Sequence, residues 1–195
     1  AFFYQKRPVS DPKMDPILLM GLATTKFTRI YTWKPNSRKE SVALKSEKEM
    51  IETCLADIRK FSPDVLVTYN GDSFDLPYLK TRCEKLGIEC DFGFGGIRAL
   101  NRGMFHSATI KGGQHLDAFQ LVKFMNRIGS ISIMKMDLEN VSEKLFSQPK
   151  EKMQHTTINE LWEKGEIERI IDYNREDAEV TLRLAKEFLP LQIKL

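Results

Sequence analysis

The chain has 195 residues, of which 42% are hydrophobic and 29% charged, the balance of a globular protein and not of a disordered one. Its 30 basic and 27 acidic residues leave a net charge of +3, weak support for a polyanionic partner because phosphate affinity depends on where basic groups sit. No apolar run approaches the roughly 20 residues of a membrane helix, and no basic-then-apolar leader is visible, so no membrane partner is expected.

In chain order, residues 17–23 form a short apolar run, and Phe27 to Trp33 alternates like a partly exposed strand that Pro35 ends. The two read as a hairpin at one side of a mixed sheet. Ser46 followed by Glu49 is a capping box, and Met50, Ile51, Cys54, Leu55, Ile58 and Phe61 follow at helical spacing. Pro63 stops that helix, Val65 to Tyr69 reads as a buried strand, and Asn70-Gly71-Asp72 turns the chain. Asp75 sits where it could cap a further helix that tolerates Pro77 in its first turn and ends near Gly87.

Residues 91–115 are glycine-rich and read as loops with short strands. Asp117 is placed to cap a helix through Leu121 and Phe124, and Leu138, Val141 and Leu145 share a helical face. A last helix is expected from about Ile167 to Leu189, stopped by Pro190. Strands alternating with helices point to an α/β fold in one domain spanning 1–195. Cys54, Cys83 and Cys90 lack metal-site spacing, and buried thiols in a reduced, cytoplasmic protein are expected.

Tyr69-Asn-Gly-Asp-Ser-Phe-Asp-Leu-Pro-Tyr-Leu79 resembles the second exonuclease motif of family B DNA polymerases, archaeal ones especially. Tyr173-Asn-Arg-Glu-Asp177 resembles their third motif, Tyr-x-x-x-Asp. Supporting stretches are Ser62-Pro-Asp-Val65, Arg82-Cys-Glu-Lys-Leu-Gly87 and His115-Leu-Asp117, so the resemblance covers nearly the whole chain. It implies a ribonuclease-H-like mixed sheet flanked by helices. It also implies a metal-dependent 3′→5′ exonuclease, of the proofreading type and associated with a polymerase domain, that acts on single-stranded DNA or a frayed primer 3′ end.

The residues can be read without that resemblance. Asp75 follows a strand and a tight turn, which places a carboxylate at the carboxyl edge of a sheet, where open α/β folds bind ligands. Tyr173 and Asp177 are four apart on one helix and share a face with Ile170, Val180, Leu184 and Phe188. Two carboxylates facing one cleft suit Mg²⁺ or Mn²⁺, hard ions that favour oxygen. Blander alternatives stand beside these: a cap for Asp75, a solvated charged face with Arg175, Glu176 and Glu179 for Asp177, and a core aromatic for Tyr173. Asp117 is read as a cap before a catalyst, and His106, His115 and His155 have no ligand spacing.

By carry-over from the family, Asp177 holds the tighter metal, Asp75 serves a second through water, and Tyr173 positions the attacking water. Asn70 and Phe74 hold the 3′ end, Phe74 by a stacking that tolerates any base. Active relatives also carry an Asp-x-Glu strand ahead of these motifs. The family interval from Asp75 puts that pair at Ala1 and Phe3, and Asp11 and Asp15 do not form one.

Natural divergence, deliberate removal of metal ligands, and a first strand lying upstream all fit that register. The phenylalanine in place of a glutamate leans toward divergence. Weak metal binding, down to none, and negligible hydrolysis are therefore expected. The competing functions are a nucleic-acid-binding or structural scaffold and, setting the resemblance aside, a protein-interaction domain. Arg98, Arg102, Lys111, Lys123 and Arg127 are candidates for a DNA path. The length leaves no room for a polymerase palm, fingers or thumb, so the chain by itself is not expected to synthesise DNA.

Overall fold

The computed structural model describes residues 2–3, 10–102, 105–112, 115–149 and 153–193, and the side chains of most of these. Strand β1 (Phe2–Phe3) pairs antiparallel with β2 (Ile17–Ala23), which pairs antiparallel with β3 (Thr28–Thr32). Strand β4 (Ser41–Ala43) adds parallel to β3. The expected hairpin is therefore present, with Leu19 opposite Thr32 and Ala23 opposite Thr28. Ala1 lies outside the described residues. The strand formed by Phe2 and Phe3 is described as backbone alone, in register with Leu19 and Ile17.

Helix α1 (Glu47–Phe61) starts as its sequence demands, with the Ser46 hydroxyl accepting from the Glu49 amide at 3.2 Å. The Glu49 carboxylate completes the start one residue further back than a standard box, accepting from the Lys45 amide at 2.8 Å. Adjacent residues of β3 point to opposite faces of the sheet. Tyr31 accordingly packs with Met50, Ile51 and Leu55 of α1, and Ile30 packs with Ile170 and Ile171 of α6 (Ile167–Ile193). The sheet is thus sandwiched between α1 and α6.

Strand β5 (Leu66–Thr68) pairs parallel with β8 (His115–Asp117), and a separate antiparallel hairpin joins β6 (Ile97–Arg102) to β7 (Phe105–Ile110). Among the described residues, β5 has no second strand partner, and β2 beyond Leu19 has none on the side away from β3. Helix α2 (Asp75–Leu86) ends at Gly87, whose φ of 63° is the left-handed conformation a helix stop favours. Helices α3 (Ala118–Arg127) and α4 (Leu138–Phe146) close a third cluster around Val122, Val141, Val180 and Leu184, and α5 (His155–Lys164) packs on α6. Helices against small sheets make a mixed α/β architecture, consistent with the ribonuclease-H-like expectation.

Two local expectations are corrected. Phe74 occupies the cap position of α2 without a side-chain bond, and Asp75 is the first residue inside the helix. Pro190 does not end α6, which continues to Ile193. A proline near a helix end forfeits one backbone donor but can be carried when the turns before it are well packed. Here Leu184 and Ala185 are buried just ahead of it. Among the described residues, no helix is long and apolar enough to cross a membrane.

Candidate active site

A cavity of about 800 Å³ opens between β2, β5, the start of α2 and α6. Phe74 enters its wall from the turn after β5, Asp75 from the first residue of α2, Asp177 from α6, and Leu138 and Glu139 from the start of α4. The apolar remainder includes Met20, Leu22, Val67 and Leu79. Phe74 is 39% exposed and lies 6.1 Å from the Tyr78 ring, centroid to centroid. A flat aromatic at the lip of a mostly apolar cavity that also carries carboxylates is a surface on which a planar base can lie.

The turn that carries Asp75 is held from several sides. The Asp117 carboxylate accepts from the amides of Asn70 at 2.8 Å, Asp72 at 3.1 Å and Phe119 at 3.0 Å. It therefore caps α3, as its sequence position implies, and also pins the motif loop. Burial raises the Asp117 pKa above the ordinary carboxylate value, and the three amides only partly offset this. His115 lies between the Thr68 hydroxyl, 2.9 Å from Nε2, and Asp72 Oδ1, 3.2 Å from Nδ1. The Asp72 carbonyl accepts from the Ala108 amide of β7 at 2.7 Å. Asn70 itself is exposed and left-handed, with φ of 60°, a conformation asparagine tolerates better than most residues.

On α6, Ile170, Tyr173, Val180, Leu184 and Phe188 are buried, forming the inward stripe read from the sequence, while Asp177 is only half-buried on the cavity side. Tyr173 is 7% exposed and donates its phenolic hydrogen to Glu139 Oε1 at 2.5 Å. Burial, first of all, pushes its pKa well above the ordinary phenol value, and the bond to Glu139 and the charge of Asp177 add to the shift. The structure thus brings Asp75, Phe74 and Asp177 to one cavity, keeps Tyr173 behind its wall, and leaves Asn70 at the solvent edge of the loop.

Asp75 and Asp177 could hold a hard divalent ion whose other ligands are water and phosphate oxygens, as Mg²⁺ commonly has. No three His, Cys, Asp or Glu side chains converge on a point among the described residues. The donor set therefore fits Mg²⁺ or Mn²⁺ loosely, as a two-carboxylate site and not as a cage. Of the candidate DNA-path cations, Arg98 and Arg102 lie on β6 and Lys111 follows β7, whereas Lys123 and Arg127 belong to α3.

Glu139 was not singled out in the sequence. The only signal for it was Asp137-Leu-Glu139, an acid pair at a helix start, where capping is the ordinary explanation. Asp137 does cap α4, accepting from the Asn140 amide at 2.9 Å.

The sequence is similar to that of known proteins. The family described as DNA polymerase family B, exonuclease domain, matches residues 6–141. A DNA polymerase of Thermococcus kodakarensis is 39% identical over 183 residues, covering 92% of this chain and 11% of that protein. A DNA polymerase of Pyrococcus glycovorans is likewise 39% identical over 183 residues, and DNA polymerase 1 of Pyrococcus abyssi is 38% identical. The chain spans 23% of the length of each of the latter two.

Proposed function

We propose, from the premise that this chain belongs to the exonuclease-domain family of the family B DNA polymerases, that its 195 residues form one proofreading-type 3′→5′ exonuclease domain. It engages single-stranded DNA at a frayed primer 3′ end and works beside the polymerase domain of its parent protein, in the cytoplasm. The observation that carries this reading is the shared cavity. Asp75 and Asp177 reach it from different elements, and Phe74 stands at its lip.

In this reading Asp177 would hold a divalent ion and Asp75 would serve a second, while Phe74 and Asn70 receive the terminal nucleotides and Tyr173, just behind the cavity wall, positions the attacking water. Bound Mg²⁺ or Mn²⁺ would supply water activation and neutralisation of the leaving oxygen. The Asp-x-Glu register of the family falls on Ala1 and Phe3. With Asp75 and Asp177 as the family-matched metal ligands in the cavity and no acidic pair at that register, this polypeptide binds the ion weakly and hydrolyses DNA slowly or not at all.

A 5′-labelled single strand, titrated with the chain and then incubated with Mg²⁺ or Mn²⁺, tests both clauses. Binding that requires a free 3′ end, with negligible shortening of the strand, is the expected result. One-nucleotide laddering that Asp177→Ala abolishes would overturn the impaired clause. Absence of any single-strand binding would overturn the nucleic-acid reading and leave a structural scaffold.

A further inference from the structure

The opening residues of the two motifs, Tyr69 and Tyr173, converge on one short stretch of chain. Tyr69 Oη donates to the Met136 carbonyl at 2.6 Å, and Tyr173 Oη donates to Glu139 Oε1 at 2.5 Å. The stretch from Met136 to Glu139 is thereby fastened to β5 and its turn on one side and to α6 on the other. Asp137 sets its geometry by capping α4. Glu139 lies in the first turn of that helix, where the backbone dipole favours a negative charge. Its residue also lines the cavity shared by Asp75 and Asp177.

A phenol carries one proton and can donate only once. With that proton committed to Glu139, Tyr173 can meet a water or a terminal sugar hydroxyl only as an acceptor. The Met153 backbone amide also donates to Tyr173, which occupies one of the two acceptor positions of the hydroxyl and leaves one. A phenol released from Glu139 could rotate its hydroxyl and donate instead, which reverses the orientation of whatever it holds.

We propose that Glu139 is a positioning residue of the site: its carboxylate binds the Tyr173 proton, and so fixes the phenol, set just behind the cavity wall, as an acceptor for water that reaches it beside the 3′-terminal nucleotide. This rests on the exonuclease reading and extends it to a third chain segment, the start of α4.

The test compares the wild-type chain with Glu139→Gln, Glu139→Ala, Tyr173→Phe and the Glu139→Ala/Tyr173→Phe double variant. Thermal melting verifies that each is folded. The first readout is the tyrosine Raman doublet, with Tyr173 isolated by subtracting the spectrum of Tyr173→Phe. A strong-donor signature is expected in the wild type, retained in Glu139→Gln and lost in Glu139→Ala. The second readout is affinity for a 5′-labelled single strand with a free 3′-hydroxyl. Glu139→Ala and Tyr173→Phe should each weaken binding about fivefold, the loss expected for one hydrogen bond of ordinary net strength.

The double variant should bind no worse than either single, and Glu139→Gln should restore most of the affinity. Losses that multiply in the double variant, or a Glu139→Ala chain that binds like wild type, would overturn the role of Glu139 while leaving the exonuclease reading intact. A wild-type chain that ignores single strands overturns that reading and the positioning role with it, whatever the Raman signature shows.

Discussion

Asp117 accepts a hydrogen bond from the backbone amide of Asn70 at 2.8 Å, joining the end of β8 to the left-handed turn that precedes Asp75. The same carboxylate takes the amides of Asp72 and Phe119. It is 5% exposed, so removing it takes the acceptor from three part-buried amides. Asp117→Ala should destabilise the chain by roughly 3 kcal/mol, given about 1–3 kcal/mol for each orphaned buried group and partial relief by water. Urea unfolding measures the loss, and single-strand binding should weaken in parallel because the turn also carries Phe74 and Asp75. Normal stability in the variant would show that the turn holds itself.

This relationship marks the boundary of what the sequence could reveal. The run from Tyr69 to Leu79 and the stripe on α6 were legible because each is local: a turn, a helix start, a helical period. The cap role of Asp117 was legible for the same reason. Its grip on Asn70 was not, since 47 residues separate the two and no spacing rule reaches that far. Glu139 was hidden likewise, because its meaning depends on where α6 places Tyr173, 34 residues away. The stop expected at Pro190 was a local rule overridden by packing.

A second long-range tie supports the fold from the opposite side. Arg82 on α2 meets Glu47 at the start of α1 through two contacts, Nε to Oε1 at 2.8 Å and Nη2 to Oε2. Glu47 also accepts from the Ile17 amide at 2.7 Å, and Arg82 donates to the Pro12 carbonyl at 3.0 Å. Their side chains are 10% and 5% exposed. Breaking such a pair from one side leaves a buried charge, so Arg82→Ala or Glu47→Ala should each cost about 3–5 kcal/mol. Arg82→Lys should fare little better, as an ammonium cannot reproduce the planar fork. An apolar replacement of both partners, Glu47→Leu with Arg82→Met, should recover most of the loss, and equilibrium unfolding of the four variants checks the cycle.

Asp57 gives the chain a predictable response to acid. Burial acts to raise its pKa, but hydrogen bonds from Tyr31 at 2.7 Å and Arg29 at 2.5 Å outweigh it, and the value ends below the ordinary carboxylate level. A carboxylate depressed in the folded state stabilises above its unfolded pKa, and that contribution disappears as pH falls through the lower, folded value. The wild type should therefore exceed Asp57→Asn in stability at neutral pH, and the gap should close below about pH 4. Melting temperatures between pH 2 and 7 test this. A gap that persists at the lowest pH would mean that the charge of Asp57 is not what matters.

Gly21 supplies the last prediction, because it sets how closely α6 lies on β2. A Cβ built there would stand 2.6 Å from Asn174 Oδ1, 3.2 Å from Ile30 Cδ1 and 3.3 Å from Ala178 Cβ. Asn174 is 3% exposed, and its Oδ1 has no hydrogen-bond partner among the described residues. An added methyl group must therefore push on a buried, already unsatisfied amide and on the helix behind it. Gly21→Ala should cost about 1–3 kcal/mol, the usual penalty of overpacking. Asn174→Ala removes both the clash and the orphan acceptor, so the Gly21→Ala/Asn174→Ala chain should regain much of that loss. Asn174 lies next to Tyr173 in sequence and three residues before Asp177, so the single Gly21→Ala variant should also bind single strands less tightly. Full stability in Gly21→Ala would show that α6 can lift from β2 at little cost, and unchanged binding would show that Asp177 does not move with it.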